Sequence, residues 1–266
     1  MKDKDMKLVI GGGVIVLFLF LSLVAVFYTP YNITEMNMKL KLASPSLKHI
    51  FGTDKFGRDI FSRILVGGQV SFFIGISSIV IGSFLGSLLG MFSGYVGGYI
   101  DEVIMRISDA LMAFPGILFA LMIISVLGPG ITNLIIVIGV MNIPYFIRLT
   151  RSETLKEKEK NYILSARIRG VKRREIIWNY IFPNIRGRII IAISLSFGVA
   201  ILTEASLSYL GLGVQAPYPS WGSMLKESQI YFLRAPWYVI FPGLFITLTV
   251  FSSKLLGEYF REKYNS

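Results

Sequence analysis

Long apolar stretches alternate with polar segments along this chain, and six of them are long enough for a helix that crosses a membrane. They are residues 8–28, 70–92, 103–127, 131–149, 189–210 and 238–256. A transmembrane helix needs about 20 apolar residues to cross roughly 30 Å of hydrocarbon. The pattern therefore predicts an all-α polytopic membrane protein with six transmembrane helices. The first stretch also fits the core of a signal peptide, but its length and its lack of a small-residue cleavage pattern favour an uncleaved anchor.

The composition agrees with a membrane protein, and the distribution of charge indicates an orientation. Hydrophobic residues make up 53% of the chain, charged residues only 16%, and the mean hydropathy is +0.63, which excludes an ordinary soluble domain. The net charge of +11 comes largely from segment 148–188, which holds twelve Lys or Arg against four Glu. Basic loops stay in the cytosol, so we expect this segment and, with six spans, both termini to be cytosolic. The membrane orientation then explains the excess of positive charge, and no nucleic acid partner is expected.

The loop between the first two apolar stretches, residues 29–68, is expected on the extracytoplasmic side. Its basic residues run against the charge rule, which long loops obey weakly; they are Lys39, Lys41, Lys48, Lys55, Arg58 and Arg63. Ile60, Phe61, Ile64 and Leu65 lie at helical spacing, which predicts an amphipathic helix. That helix either lies on the outer membrane surface or packs against the spans.

Glycines and prolines inside the apolar stretches predict how the helices pack and bend. Gly82, Gly86 and Gly90 repeat every four residues, and small residues on one helix face let two helices approach closely in lipid. We interpret this face as a helix contact, with a pore-lining face as the alternative. Pro115 and Pro144 fall within the third and fourth stretches and predict kinks, because proline removes a backbone hydrogen bond.

Three ionisable residues inside the apolar stretches are candidates for function, since a charge within the membrane is costly. Arg106 and Asp109 lie three residues apart and could either neutralise each other as an ion pair or take part in gating. Glu204 has no basic neighbour within one helical turn. It either faces a water-filled path or accepts hydrogen bonds between helices.

Segment 148–188 contains helix boundaries that a passive linker would not need. Asn161 is placed to cap a helix over 162–169, and Gly170 is placed to end that helix in the left-handed conformation. A second helix fits residues 172–182, where Pro183 would stop it. Two short helices with a glycine turn and a basic flank predict a docking surface for a partner protein.

The same segment resembles a known sequence motif. Residues 162–170 and 180–184 resemble the cytosolic loop of ABC importer permeases, whose pattern is Glu-Ala-Ala, three residues, Gly, nine residues, then Ile-x-Leu-Pro. The resemblance implies that the matching positions couple the permease to its ATPase; they are Leu164, Ser165, Ala166, Gly170, Tyr180, Phe182 and Pro183. The spacing is kept, but Leu164 replaces the glutamate of the family pattern.

Further segments narrow the resemblance to the C-type subunit of the dipeptide, oligopeptide and nickel permeases. Residues 51–63, 106–115 and 204–213 resemble sequences of that family. The resemblance implies a type I ABC importer permease fold with a cytosolic coupling helix, in a bacterial or archaeal inner membrane. It implies as partners a homologous permease subunit in a heterodimer, two cytosolic ATPase subunits that use ATP and Mg²⁺, and an external substrate-binding protein. The expected substrates are short peptides, nickel or a metal chelate.

Two rival functions have less support in the sequence. An ion-coupled secondary transporter is the alternative, although we see no clear repeat between halves and no clear polar site at the midplane. A membrane enzyme is not expected, because the chain has no cysteine, a single histidine, His49, and no phosphate-binding loop. We expect no catalytic residue, metal or cofactor in this chain. The expected division is an anchor over 1–28, the loop 29–68, a permease domain over 69–257 and a cytosolic tail over 258–266.

Overall fold

Helices form most of the protein. A computed structural model describes residues 2–264. The α-helices are α1 (Lys2–Val24), α2 (Ile60–Val96), α3 (Gly98–Met112), α4 (Gly116–Leu127), α5 (Ile131–Lys158), α6 (Asn161–Ile168), α7 (Arg173–Glu175), α8 (Phe182–Tyr209), α9 (Trp221–Ser228) and α10 (Pro236–Tyr264). A π-helical segment, Ile176–Ile181, joins α7 to α8. In the described residues β-structure is limited to one isolated bridge between Thr53 and Asp59, so the all-α prediction is confirmed.

The apolar helices account for the predicted spans, and one span is broken. Five helices are long and apolar enough to cross a membrane: Asp5–Val24, Ile60–Val96, Ile131–Lys158, Arg173–Tyr209 and Pro236–Tyr264. The third apolar stretch consists of α3 and α4, which are bent by 89° at their junction. Pro115 is the N-cap of α4; it lacks the N–H that would continue α3 and keeps the preceding residue out of the α region. Counted as one broken span, the pair gives the sixth crossing.

The segment predicted as a separate amphipathic helix is the beginning of α2. The side chain of Asp59 caps α2 by accepting a hydrogen bond of 2.7 Å from the backbone N–H of Ser62. Ile60 and Ile64 are fully buried, because the first turns of α2 pack into the core of the bundle. The prediction of a helix on the membrane surface is therefore wrong, and the alternative, a helix packed against the spans, is observed. The expected boundary between residues 68 and 69 falls inside α2.

Helices α2 and α5 pack along the glycine face that the sequence predicts. A methyl group at Gly82 would lie 2.6 Å from Cβ of Asn142, and one at Gly86 would lie 2.6 Å from Cβ of Phe146. These separations are shorter than a normal carbon contact, so only glycine allows the two backbones to come this close. Gly90 faces α5 in the same way, and the helix-contact prediction is confirmed.

The long polar loop predicted over 148–188 is mostly helical. Helix α5 continues to Lys158, and the next membrane helix already begins at Arg173. The connection is therefore only residues 159–172, and it contains α6. The flanking helices continue through charged residues, because opposite charges on one face stabilise a helix. Lys156 and Glu153 of α5 form such a pair, 2.7 Å apart.

Aromatic residues fill the core at the end of the bundle opposite α6. Trp221 of α9 is buried, and its ring N–H donates a hydrogen bond of 3.0 Å to the carbonyl of Ile64. Phe18, Phe72 and Phe245 surround it, with ring centroids 6.4, 5.5 and 5.8 Å away. This cluster joins α1, α2, α9 and α10 into one packed body.

Candidate functional site

Helix α6 is the centre of the predicted docking segment, and it ends in a well-formed turn. The N–H of Val171 donates to the carbonyl of Ala166 at 3.1 Å, and the N–H of Gly170 donates to the carbonyl of Arg167 at 3.0 Å. This pair of bonds is a Schellman motif, which needs a residue in the left-handed region. Gly170 has a φ of +75°, so the predicted end of the helix is confirmed.

Two other predicted boundaries of the segment are wrong. The N-cap of α6 is Lys160, whose backbone is extended, and Asn161 is already the first helical residue. Pro183 does not stop a helix; it lies in the first turn of α8, which continues directly from the π-helical segment. The π turn explains this, since the N–H of Phe182 bonds back five residues to Ile177. The wider turn leaves room for a proline that cannot make its own helical bond.

The inner face of α6 is anchored to the end of α2. Ile163 and Ala166 are fully buried. They belong to one apolar cluster with Met91 and Tyr95 of α2 and Ile176 of the π-helical segment. Because close-packed interiors are hardly compressible and transmit displacement, a movement of α6 also moves the end of α2.

The outer face of α6 combines apolar and basic side chains. Leu164 is 43% exposed and Ile168 is 86% exposed, and Arg169 is exposed beside them. Apolar side chains that remain exposed next to one another are typical of a binding surface. The sequence motif does not single out Ile168, although an isoleucine between two arginines is a signal that sequence reasoning could have used.

A polar clamp holds α6 to the helices on either side of it. The hydroxyl of Tyr162 donates a hydrogen bond to the carboxylate of Glu157 near the end of α5. The side-chain amide of Asn184 in α8 donates to the same hydroxyl at 3.1 Å and to the carbonyl of Tyr180 at 2.6 Å. Partial burial and the neighbouring Glu157 carboxylate raise the pKa of Tyr162 above its usual range. A tyrosine is protonated at neutral pH even at its usual pKa, so the raised pKa extends to higher pH the range over which the hydroxyl donates this bond.

The seven motif positions divide into surface and supporting residues. Four are exposed: Leu164, Ser165, Gly170 and Pro183. Tyr180 and Phe182 are half-buried, and Ala166 is fully buried. A partner protein can reach the first four directly, whereas the other three support the surface from beneath.

Arg106 and Asp109 do not form the predicted ion pair with each other. Arg106 pairs with Glu102 at 2.6 Å, one turn earlier in α3, and Asp109 pairs with Arg148 of α5 at 2.7 Å. Glutamate placed four residues before a basic residue is a favourable arrangement on a helix, which explains the partner of Arg106. The pair of Asp109 with Arg148 ties the first half of the broken span to α5.

Glu204 is buried between helices and is hydrogen-bonded. Its carboxylate oxygens accept bonds from the hydroxyl of Ser208 at 2.7 Å and from that of Ser71 in α2 at 3.0 Å. The hydroxyl of Ser71 accepts a further bond of 3.4 Å from the backbone N–H of Trp221. Of the two alternatives for Glu204, hydrogen bonding between helices is the one observed, and its side chain is fully buried.

The break in the third span opens onto a cavity of about 250 Å³. Phe114 and Gly116 line the cavity from the break, and Met141 and Pro144 line it from α5. Residues 113–116 are all exposed, and no side chain caps the N-terminus of α4. Backbone N–H groups at a helix start have no partner within the helix, so the break presents free polar groups halfway along an apolar stretch.

Charged residues also cluster near the start of α2, within segment 51–63. Arg58 bonds the carboxylate of Asp54 at 2.5 Å and that of Glu227 at 2.9 Å. Arg63 is buried and lies 3.4 Å from Glu227. Each buried charge thus faces an opposite charge, as a structural ion-pair network requires. Nowhere between residues 2 and 264 do His, Cys, Asp and Glu side chains gather as a metal site.

Comparisons with known proteins identify relatives along nearly the whole chain. The family model described as Binding-protein-dependent transport system inner membrane component matches residues 86–266. The Dipeptide transport system permease protein DppC of Alkalihalophilus pseudofirmus is 41% identical over 260 residues, which cover 97% of this chain and 86% of that protein. The Glutathione transport system permease protein GsiD of Salmonella typhimurium is 44% identical over 262 residues, which cover 98% of this chain and 86% of that protein.

Proposed function

Because the chain belongs to the family of binding-protein-dependent transport system inner membrane components, the permease subunits of ATP-driven importers, we propose that it carries short peptides across a bacterial inner membrane. Its relatives are named for transport of dipeptides and of glutathione, which is itself a small peptide. These names favour peptides over nickel or a metal chelate. The chain is a transport subunit and not an enzyme, and such importers also contain ATPase subunits and a substrate-binding protein.

The outer face of α6 is the surface on which the ATPase docks. The single observation that carries this is the contrast between its two faces: Ile163 and Ala166 are locked to α2, while Leu164 and Ile168 face solvent. A partner that pushes on the outer face moves a body packed against the spans. Leu164 stands where the family pattern has glutamate, so the contact is apolar there. ATP and Mg²⁺ are used by the ATPase subunits, and this chain supplies the docking surface.

Both termini lie on the cytosolic side, together with α6. Lys7 pairs with Glu262 at 2.7 Å, so the start of α1 and the end of α10 are neighbours. A methyl group at Gly187 would lie 2.7 Å from the ring of Tyr264, so the end of α10 also lies beside the start of α8. The excess of basic residues in 148–188 supports the cytosolic side for this face of the protein.

The broken span lines the translocation path between this chain and a homologous permease subunit. Irregular backbone at membrane depth is stable only where it is buried in protein or lines a water-filled cavity. Residues 113–116 are exposed on this chain, so a second subunit or water must cover them. A heterodimer that encloses the break satisfies this condition, and the free backbone groups then face the passing peptide.

Of the charged residues in the apolar stretches, Asp109 is the candidate for gating. Its bond to Arg148 joins the broken span to α5, and α5 leads directly to α6. Arg106 is bound within its own helix, and Glu204 is held by serines between helices. Neither residue is therefore assigned a role in gating.

Single cysteines test the path. The chain has no cysteine, so Ala113→Cys introduces the only thiol of this subunit in the assembled importer. We expect a charged thiosulfonate reagent to modify it and the substrate-binding protein loaded with dipeptide to slow the reaction. Val80→Cys is the control, because Val80 is 58% exposed in the middle of α2 and does not line the cavity at the break. We expect it to face lipid, where a charged reagent does not penetrate. Equal reaction at both positions, or none at position 113, would refute the assignment.

Uptake into vesicles tests the transport function. We expect a labelled dipeptide to enter only when ATP, the ATPase subunits and the substrate-binding protein are all present. Uptake driven by an ion gradient without ATP would favour a secondary transporter. ATP-driven uptake of nickel, with no peptide uptake, would leave the coupling mechanism intact and contradict the proposed substrate.

A further inference from the structure

A groove runs along the outside of the bundle where the end of α2 lies beside the π-helical segment. It encloses about 640 Å³. Apolar side chains from both helices form most of its walls: Leu88, Leu89, Phe92, Ile177 and Trp178. Arg173 and Arg174 close one end. The groove therefore changes from apolar to strongly basic along its length.

The apolar part of the groove continues toward the middle of the membrane. A second cavity of about 330 Å³ shares Leu88, Met91 and Trp178 with the groove and reaches Val80. From Val80 to Phe92 an α-helix rises roughly 18 Å. One half of the hydrocarbon core is about 15 Å thick, so the apolar length matches an acyl chain in a single leaflet.

The basic end of the groove opens into a third cavity of about 390 Å³. This cavity shares Tyr95, Val96 and Arg173 with the groove and is also lined by Arg167. The guanidinium of Arg167 lies 5.1 Å from the centroid of the Tyr95 ring. In the part of the chain that the structure describes, Arg167, Arg173 and Arg174 form no ion pair with a carboxylate. Three guanidinium groups are thus available to a negatively charged ligand.

We propose that the groove binds an anionic phospholipid of the cytosolic leaflet, with its phosphate on Arg173 and Arg174 and one acyl chain along α2. Guanidinium groups bind phosphate oxygens through paired, charge-assisted hydrogen bonds. The basic end disfavours a wholly apolar partner helix, and the apolar length would be unused by a free phosphate. Basic pockets at the cytosolic ends of spans suit such headgroups. The site depends on the proposed function only in that α6 lies on the cytosolic side.

Lipid retention by the intact importer tests the proposal. The complex of this chain with its partner permease and ATPase subunits is purified, and the lipids that remain bound are identified by mass spectrometry. We expect phosphatidylglycerol to be enriched over phosphatidylethanolamine. The double substitution Arg173→Gln with Arg174→Gln should weaken phosphatidylglycerol binding roughly 30-fold, from the usual contribution of each basic residue near an anionic headgroup. The matched control is Arg186→Gln with Arg188→Gln, since both are exposed arginines of α8 outside the groove, and its retention should be unchanged.

Trp178 allows a second measurement at the groove itself, because its side chain is 40% exposed and lines both apolar cavities. In nanodiscs, brominated phosphatidylglycerol should quench the part of the fluorescence that Trp178→Phe removes. Brominated phosphatidylcholine should quench it less, and inorganic phosphate should not relieve the quenching. Equal quenching by the two lipids, or unchanged retention in the Arg173 and Arg174 variant, would overturn the proposal. So would an absence of quenching in the intact complex, because a partner subunit would then cover the groove.

Discussion

Truncation of Ile168 is the most direct test of the docking surface on α6. The side chain is 86% exposed, whereas Ile163 and Ala166 on the opposite face hold the helix in place. Ile168→Ala therefore removes no contact that the fold depends on. We expect the free energy of unfolding to change by less than about 0.5 kcal/mol, as for other surface substitutions. A larger effect on the importer must then come from a lost contact with a partner.

The expected loss of affinity follows from the exposed area of the side chain. Isoleucine has three more carbon atoms than alanine, and burying each such group contributes about 0.8 kcal/mol. Because 86% of the residue is available for burial, the substitution should cost about 2 kcal/mol on docking. This is roughly a 30-fold weaker affinity for the ATPase subunits. Leu164→Ala starts from 43% exposure and should lose about half as much free energy.

Titration of the ATPase subunits against the immobilised permease heterodimer measures this loss. Ile230→Ala is the matched control, because Ile230 is 74% exposed and lies in the 3-10 turn Gln229–Tyr231, outside the docking segment. The control should bind the ATPase subunits with unchanged affinity. Unchanged ATPase affinity after Ile168→Ala, or equal losses in Ile168→Ala and Ile230→Ala, would refute the assignment of the docking face.

Three further substitutions test the turn, the helix contact and the buried carboxylate. The added methyl group of Gly170→Ala meets no atom within 4 Å, but alanine at a φ of +75° costs about 1 kcal/mol of backbone strain. Hydrogen exchange at the end of α6 should therefore become roughly fivefold faster. Gly97→Ala introduces similar strain outside α6 and should leave the exchange of α6 unchanged. Gly86→Ala should lower the free energy of unfolding by about 1–3 kcal/mol, measured by denaturant titration. Gly243→Ala has open space and should be neutral or slightly stabilising, because alanine favours a helix over glycine. Glu204→Ala leaves two serine hydroxyls without an acceptor and should cost about 3 kcal/mol, most of which Glu204→Gln should restore. Equal effects in a variant and its control, or an unchanged melting temperature for Glu204→Ala, would contradict the contact concerned.

Features that depend on a single backbone position could be predicted from the sequence. Gly170 ends α6 because a left-handed turn there needs a residue without a β-carbon, and nothing distant alters that need. The face formed by Gly82, Gly86 and Gly90 could be recognised in the same way, since its spacing follows from the helical repeat. The span count was equally accessible, because hydrocarbon thickness fixes the length of an apolar stretch.

Features that depend on contacts between distant parts of the chain could not be predicted from the sequence. The local chemistry of Pro183 predicts the end of a helix. The preceding segment, Ile176–Ile181, is packed in a core cluster and forms a π turn, and this turn accommodates the proline. Pro115 indicated a kink, and the 89° bend shows a complete break instead. The partner of Asp109 is Arg148, 39 residues away along the chain, and only the arrangement of α3 against α5 decides that choice.

Helix α5 is the element that connects the docking surface to the broken span. Near its C-terminus, Glu157 accepts the hydroxyl bond of Tyr162 from α6. Further up, Arg151 holds Asp101 of α3 with two hydrogen bonds of 2.5 and 2.6 Å, and Pro144 lines the cavity at the break. The glycine face of α2 packs against the same helix, so α5 cannot bend away from its neighbours when α6 is displaced. A push on α6 should therefore move α5 as a rigid body and change the shape of the cavity at the break, which we propose lines the path of the peptide.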